Sequence, residues 1–300
     1  MKGPGIQKIA LGTAQFGSAY GATNKDGQIS LGKASAILGM ATRHGVDTVD
    51  TAIGYGESEE ILGKAGVKNF KVVTKLPAVP DGERFVARWM EDQIRNSLKR
   101  LCLEKVHGVL LHRPTELTGM NGPRIFDSLL ALQKEGLAEK IGVSVYHPED
   151  LEISLGKWPF TIVQAPFNLL DRRLARSGWL VRLTDRQVEL HVRSVFLQGL
   201  LLQPANQRPA PFARRPELWE KWQAWLRHYR LDPVDACLAF VQSHPGITRV
   251  IVGVDNPLQW ESILSSPALS GEIPWPDIET EDEELILPYL WPKQVPAAVA

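Results

Sequence analysis

Lys71-Val-Val-Thr-Lys-Leu76, followed by the segment Phe85–Leu101 and then by Val106-His-Gly-Val-Leu-Leu111, reads as strand, helix, strand. The flanking runs are short, apolar and rich in β-branched residues, as strands buried in a parallel sheet are. Between them Phe85, Trp89, Ile94, Leu98 and Leu101 recur on a helical period and form one apolar face. Outward from this unit the pattern repeats. Further strand candidates are Lys8–Thr13, Asp47–Ala52, Lys140–Val145, Ile162–Pro166, Leu190–Val195 and Arg249–Val254, which makes eight. Helical segments Lys33–His44, Arg124–Glu135 and Pro257–Leu264 fall among them, and Pro257 suits a helix's first turn. The strand candidates start about 34 residues apart on average, and a βα unit needs roughly 30. A prior of about 150 residues per domain would divide the 300 residues in two, but α/β barrels of roughly 250 residues are the exception. The predicted fold is therefore a single (β/α)8 TIM barrel over residues 1–270, with 271–300 a C-terminal tail packed on it or trailing from it. A doubly wound sheet is the alternative. Its dinucleotide-binding form is disfavoured, because no convincing Gly-x-Gly-x-x-Gly follows the first strand.

Composition narrows the function classes. Lys plus Arg and Asp plus Glu both number 34, and this zero balance argues against an electrostatic nucleic-acid binder. No apolar run approaches the roughly 18 residues of a membrane span. Residues 1–9 lack the apolar stretch of a secretory signal, so a cytoplasmic protein is expected. Cys102 and Cys237 lie far apart, and His107, His147, His191 and His244 show no ligand spacing, so no metal is expected. The segment Leu201–Pro216 reads as a connecting loop over one barrel end, with lid or substrate wall as alternatives. Trp219, Trp222 and Trp225, three apart, read as a helix face packed on the barrel. The acidic run Glu279, Glu281, Asp282, Glu283 and Glu284 reads as a solvated helix start. Asp171-Arg172-Arg173 and Arg214-Arg215 read as solvated basic clusters.

In such a barrel, reactive groups collect at the C-terminal ends of the strands. Asp50 ends the second strand with Tyr55 just beyond it, Lys75 ends the third, and His112 ends the fourth. Each residue alone is more often structural than catalytic. A carboxylate, a phenol, an ammonium and an imidazole at adjacent strand ends form a constellation. Tyr20 falls on the same rim, where it either contacts substrate or packs the first loop.

Several stretches resemble the aldo-keto reductases in order and spacing, from about residue 8 to residue 265. They are Leu-Gly12-Thr13, Gly-Val-Asp-Thr-Val-Asp50-Thr-Ala-x-x-Tyr55-Gly-x-Ser-Glu, Thr-Lys75, Leu-His112-Arg-Pro, Ile-Gly-Val-Ser144, Val-Gln164-x-Pro-Phe-Asn168, Gln198-Gly199 and Ile-Val-Gly253. The resemblance implies hydride transfer between a nicotinamide cofactor, NADP(H) for most of the family, and a small or sugar-like carbonyl or alcohol. It implies Tyr55 as general acid. A phenol with a pKa near 10 needs help at neutral pH, so Lys75 would favour the phenolate and Asp50 would fix the lysine. His112, as a neutral imidazole, would polarise the substrate oxygen. Ser144 and Gln164 would bond the nicotinamide carboxamide. Phe196, Gln198, Gly199 and Leu200 would approach the pyrophosphate, and the stretch from Gly253 to Glu261, Gln259 included, would take the adenosine end at a helix start. Gly12 and Thr13 join this cofactor-facing set.

Three positions depart from the family pattern. Val145 stands where an Asn is common. Arg193 stands where an aromatic ring usually underlies the nicotinamide; a guanidinium can stack there but repels the oxidised ring, which predicts a bias toward carbonyl reduction. Asp255 stands where NADPH users carry Lys or Arg. An acidic residue there can accept a hydrogen bond from a free ribose hydroxyl, so NAD(H) is possible. The alternative has Asp255 facing solvent or capping the next helix while a distant Arg holds the phosphate. Two other functions compete: a cofactor-binding redox-sensing or regulatory protein with little turnover, and a Schiff-base lyase using Lys75, against which the neighbouring Asp50 argues.

Overall fold

Eight short runs become eight parallel strands in the computed structural model, which describes residues 8–213, 215–267, 269 and 273–291. They are β1 Ile9–Gly12, β2 Thr48–Asp50, β3 Lys71–Leu76, β4 Val106–Leu111, β5 Ala138–Ser144, β6 Ile162–Pro166, β7 Glu189–Arg193 and β8 Arg249–Gly253. Each pairs with its neighbour in the chain, and β8 closes onto β1, with Gly12 opposite both Gly253 and Asp50. Spans β3, β4 and β6 match the sequence reading to the residue. At β1, β2, β5, β7 and β8 the pairing stops one or two residues early, and the released backbone forms the rim loops.

Helices wrap the barrel with their apolar faces inward. Leu31–His44 buries Ile37 and Leu38, and Val86–Leu101 buries Met90, Ile94 and Leu98. Pro257 opens Pro257–Leu264, whose cap is the preceding Asn256. One assignment to the apolar face fails: Phe85 precedes its helix and is 71 % exposed. At the barrel's N-terminal end, Glu189 of β7 accepts from His107, His191 and Lys140, which holds its carboxyl well below the usual carboxylate range.

The long connector after β7 is tied down rather than free. Short 3-10 turns at Leu200–Leu202, Ala205–Gln207 and Ala210–Phe212 carry it, with Leu201 and Phe212 buried. Trp222 Nε1 donates to Leu201 O at 3.0 Å, and Trp219 Nε1 donates to Phe212 O at 2.8 Å. The tryptophan face of helix Pro216–Tyr229 thus packs as expected, with Trp225 stacked on Trp222 at 5.6 Å. In the tail, Ile278, Leu285, Ile286 and Leu287 are fully buried. The exposed Glu283 and Glu284 open a short helix, Glu283–Ile286. Residues 271, 272 and 292–300 of the expected tail lie outside the described residues, as does Arg214.

The Asp171–Arg173 cluster is not solvated as expected. Asp171 is buried and pairs with Arg173 at 2.8 Å, while Arg173 also donates to Tyr146 O. Arg172 donates to Pro276 O at 2.7 Å and lies over the Phe240 ring. These arginines join the tail and the β5 loop to the barrel wall. Among the described residues, no helix is long and apolar enough to cross a membrane, and no group of three or more His, Cys, Asp or Glu could hold a metal ion.

Truncating a fully buried tryptophan removes its packing and here frees Leu201 O as well. Trp222→Ala should cost about 3–5 kcal/mol in urea denaturation; a loss below about 1 kcal/mol would show that the connector is not anchored there.

Candidate active site

The register of β2 on β3 sets Asp50 opposite Val73, so Lys75, two residues on and on the same face, reaches it at the C-terminal rim. Both are buried, Lys75 completely. Lys75 Nζ donates to Asp50 Oδ1 at 2.8 Å, to Oδ2 at 2.7 Å and to Thr51 O at 2.8 Å, and it lies 3.5 Å from the Tyr55 hydroxyl oxygen. Gln164 Nε2 donates to Asp50 Oδ1 at 2.7 Å, and Ser144 Oγ to Gln164 Oε1 at 3.4 Å. A polar column thus runs from Tyr55 through Lys75, Asp50 and Gln164 to Ser144. Every member has a partner, which a buried ionic network requires.

Tyr55 is pinned by close backbone packing. A Cβ on Gly17 would sit 1.5 Å from Tyr55 O, and one on Gly56, at φ 54°, would sit 2.5 Å from Gly17 O. Only glycine allows this approach. Ser58 Oγ then latches the turn to Thr13 and Thr51, and Glu59 takes bonds from Thr74, Ser97 and Arg100. The Ser-Glu of the Tyr55 motif is therefore structural support, a role its sequence pattern does not separate from the chemistry.

His112 stands edge-on to Tyr55, with ring centroids 6.1 Å apart. Burial, followed by the charges of Lys75 and Arg193, pushes its pKa down to about 4, so the ring is neutral at pH 7. For Tyr55 the expected lowering by Lys75 is not found. Burial and the Asp50 carboxylate push the phenol up, with Arg193 opposing them. The lysine charge is matched by Asp50, and the phenol keeps its proton. Because Lys75 donates to the phenol oxygen, that proton is free to point away from the lysine.

A cleft of about 410 Å³ opens from Tyr55 and His112 across the ends of β6, β7, β8 and β1. Of the expected cofactor residues, Gly12, Thr13, Gln164, Arg193, Phe196, Gln198, Gly199, Gly253, Asp255 and Gln259 line it. Ser144 and Leu200 do not reach it: Ser144 turns to Gln164, and Leu200 is wholly buried in the core. Lys75 stands behind the wall. Val145 is also core, donating through its backbone N–H to Gln164 O.

The stretch after β7 is unusual. Ser194, Leu197 and Gln198 all adopt positive φ (62°, 48° and 50°), ahead of Gly199 at 89°. Such strain concentrates at binding sites. Gln198 also has a side-chain role that was not expected: Oε1 accepts from Ala22 N, and Nε2 donates to Tyr20 OH at 3.0 Å. Tyr20 thus both lines the cleft and holds the β1 loop. Arg193 Cζ lies over the Tyr146 ring, 4.2 Å from its centroid, and the guanidinium donates to Val145 O and Ser194 Oγ, with no carboxylate paired to it among the described residues. Tyr146, Gln15, Thr23 and Asn24 also line the cleft and were missed. Tyr146 directly follows the expected Ser144-Val145 pair, the only local signal that pointed to it. Asp255 does not cap the next helix; Asn256 does, accepting from Gln259 N at 3.0 Å.

The cleft runs from the catalytic rim to the start of the helix after β8. At its β1 and β8 wall the Gln15 side chain packs directly on Gly253, where a Cβ would meet Gln15 Oε1 at 2.6 Å. A helix start faces the far end, and a protonated phenol beside a neutral imidazole stands at the mouth. The chain belongs to the aldo/keto reductase family, whose profile matches residues 8–272.

Among curated proteins, aldo-keto reductase YhdN of Bacillus subtilis is 28% identical over 210 residues, 65% of this chain and 60% of that protein. L-glyceraldehyde 3-phosphate reductase of Escherichia coli is 30% identical over 186 residues, 55% of this chain and 53% of its own length. Methylglyoxal reductase DkgA of Salmonella typhimurium is 29% identical over 155 residues, 48% of this chain and 52% of its own. The chain thus spans about half to three-fifths of the curated relatives it matches. Among solved structures, the holo form of aldo-keto reductase AKR11C1 from Bacillus halodurans superposes with a TM-score of 0.69 at 17% identity, covering 88% of each chain. Glycerol dehydrogenase AKR11B4 from Gluconobacter oxydans gives 0.65 at 20% identity, over 89% and 90% of the two chains. At these identities the structures establish the fold.

The His112 ring, followed by NMR in the intact protein, should titrate near 4; a midpoint near the ordinary value of about 6.5 would contradict the neutral imidazole. A histidine depressed by folding contributes stability that is complete above its unfolded pKa and lost as pH falls through its folded one. His112→Gln should therefore flatten the loss of stability between about pH 6.5 and 4.

Proposed function

We propose that the protein is an NAD(P)H-dependent reductase of small aldehydes or ketones, sugar-like ones included, with Tyr55 as the general acid. The bound nicotinamide would supply the hydride that reaches the carbonyl carbon. All remaining tasks fall to the chain. Tyr55 gives its proton to the carbonyl oxygen as that oxygen gains charge, and the O–H bond of the phenol breaks as the O–H bond of the alcohol forms. Lys75, already donating to the phenol oxygen, stabilises the phenolate that remains. His112 donates to the substrate oxygen from its neutral ring and orients it. In reverse, the same phenolate accepts the alcohol proton.

Arg193 extends a guanidinium at the nicotinamide end, where it would stack beside a neutral reduced ring and disfavour a cationic oxidised one. Gln164 would meet the carboxamide at that end. The backbone around Phe196, Gln198 and Gly199 would face the pyrophosphate, and Gly253 to Gln259 the adenosine. The observation that carries the reading is the 3.5 Å approach of Lys75 Nζ to a phenol that burial keeps protonated. Two relatives are named as reductases of L-glyceraldehyde 3-phosphate and methylglyoxal, which supports a small carbonyl substrate.

With a panel of short aldehydes, loss of reduced-cofactor absorbance should be readily seen. Tyr55→Phe should lower turnover by about 10²–10⁴-fold while cofactor binding stays near normal. A variant that retained more than about a tenth of the rate would overturn the role of Tyr55.

A further inference from the structure

We infer that the far end of the cleft selects a free ribose 2′-hydroxyl over a 2′-phosphate, so that the protein takes NADH in preference to NADPH, and that Asp26 and Asp255 together make this choice. The inference rests on the dinucleotide reading above and goes beyond it by naming the cofactor and a residue, Asp26, that belongs to a different loop.

Asp255 lines the cleft and is held in a reciprocal clasp. Its N–H donates to Gln259 Oε1 at 2.8 Å, and Gln259 Nε2 donates back to Asp255 Oδ2 at 3.3 Å. The clasp tethers the half-buried carboxylate at the cleft wall. Asp26 arrives from the loop after β1. Asn24 shapes that loop, its Oδ1 accepting from both Asp26 N and Gly27 N at 2.9 Å, with Gly27 at φ 75°. Asp26 Oδ2 then accepts from Asn256 Nδ2 at 2.6 Å, which bolts the β1 loop to the residue next to Asp255. The two carboxylates are close enough that repulsion from Asp26 adds to burial in raising the Asp255 pKa.

No compensating cation lines this end of the cleft among the described residues. Among the described residues lining the cleft, Arg193 is the one Lys or Arg, and it lies at the opposite, catalytic end with Tyr146. Lys25 and Asp26 are both exposed and neither lines the cleft, so Asp26 acts from behind the wall, through its repulsion of Asp255 and its bond to Asn256. A 2′-phosphate would bring nearly two negative charges to the half-buried Asp255 carboxylate, where charges act more strongly than in water, with the Asp26 charge standing behind it. A 2′-hydroxyl instead donates to a carboxylate, the arrangement that acidic residues provide in NAD sites of other folds.

The test is a titration of the intact protein by tryptophan fluorescence with NADH and, separately, NADPH. NADH should bind tighter by at least about tenfold. Asp255→Lys should invert the preference, and Asp26→Asn, which removes a charge but keeps a hydrogen-bonding group, should narrow it. NADPH binding as tightly as NADH or tighter would overturn the inference alone; weakening of that NADPH binding by Lys25→Ala would assign the phosphate to Lys25. Binding of neither dinucleotide would overturn the reductase reading and this inference with it. An unchanged NADH-to-NADPH ratio in both Asp variants would overturn the assignment to these carboxylates.

Discussion

The ion pair of Lys75 with Asp50 governs the rim. An ammonium and a carboxylate taken wholly out of water persist only when the geometry is good and every remaining donor and acceptor is used. Here Asp50, Thr51 O and the Tyr55 oxygen share the lysine's three protons, and Gln164 completes the carboxylate. Losing one partner of such a pair typically costs about 3–5 kcal/mol, because the other charge is left buried and unpaired. The closed barrel makes the arrangement possible. It sets β2 beside β3 in a fixed register and excludes water from the inner wall.

The state of the phenol follows from this pair. A lone lysine beside Tyr55 would draw it toward the phenolate. With Asp50 matching that charge, burial dominates and the phenol remains an acid. The same low-dielectric surroundings, with Lys75 and Arg193 nearby, keep His112 neutral. In the proposed chemistry the rim therefore offers two neutral donors, and the lysine matters after the proton has left. Charge is also arranged along the cleft. The chain's net charge is zero, yet one end presents Arg193 and the other Asp255, so any preference among anionic ligands is set by local groups.

Much of the frame was legible because periodicity carries it. Apolar runs at regular spacing announce strands whatever surrounds them, and β3, β4 and β6 were read to the residue. Asp50, Tyr55, Lys75 and His112 were legible because strand ends in a barrel share one rim. What escaped depends on partners distant in the chain. Gln198 bonds Ala22, 176 residues away, so nothing near it in sequence indicates that its side chain serves the β1 loop. Asp26 meets Asn256 across 230 residues. Arg172 and Arg173 look like surface charges until Pro276 and Tyr146 cover them. Leu200 and Ser144 sit in the right segments, but side-chain direction within an irregular loop or at a strand's last residue is decided by packing.

The protonation of Tyr55 is the point on which the chemistry turns, and it can be observed directly. With tyrosines labelled at the ring carbon bearing oxygen, the Tyr55 resonance, assigned by its loss in Tyr55→Phe, would be followed by NMR against pH in the intact protein. A phenol kept neutral by burial and Asp50 shows no ionisation below about pH 10. A midpoint below about pH 8 would mean that Lys75 generates a phenolate in the resting protein, and would contradict the picture of a held acid.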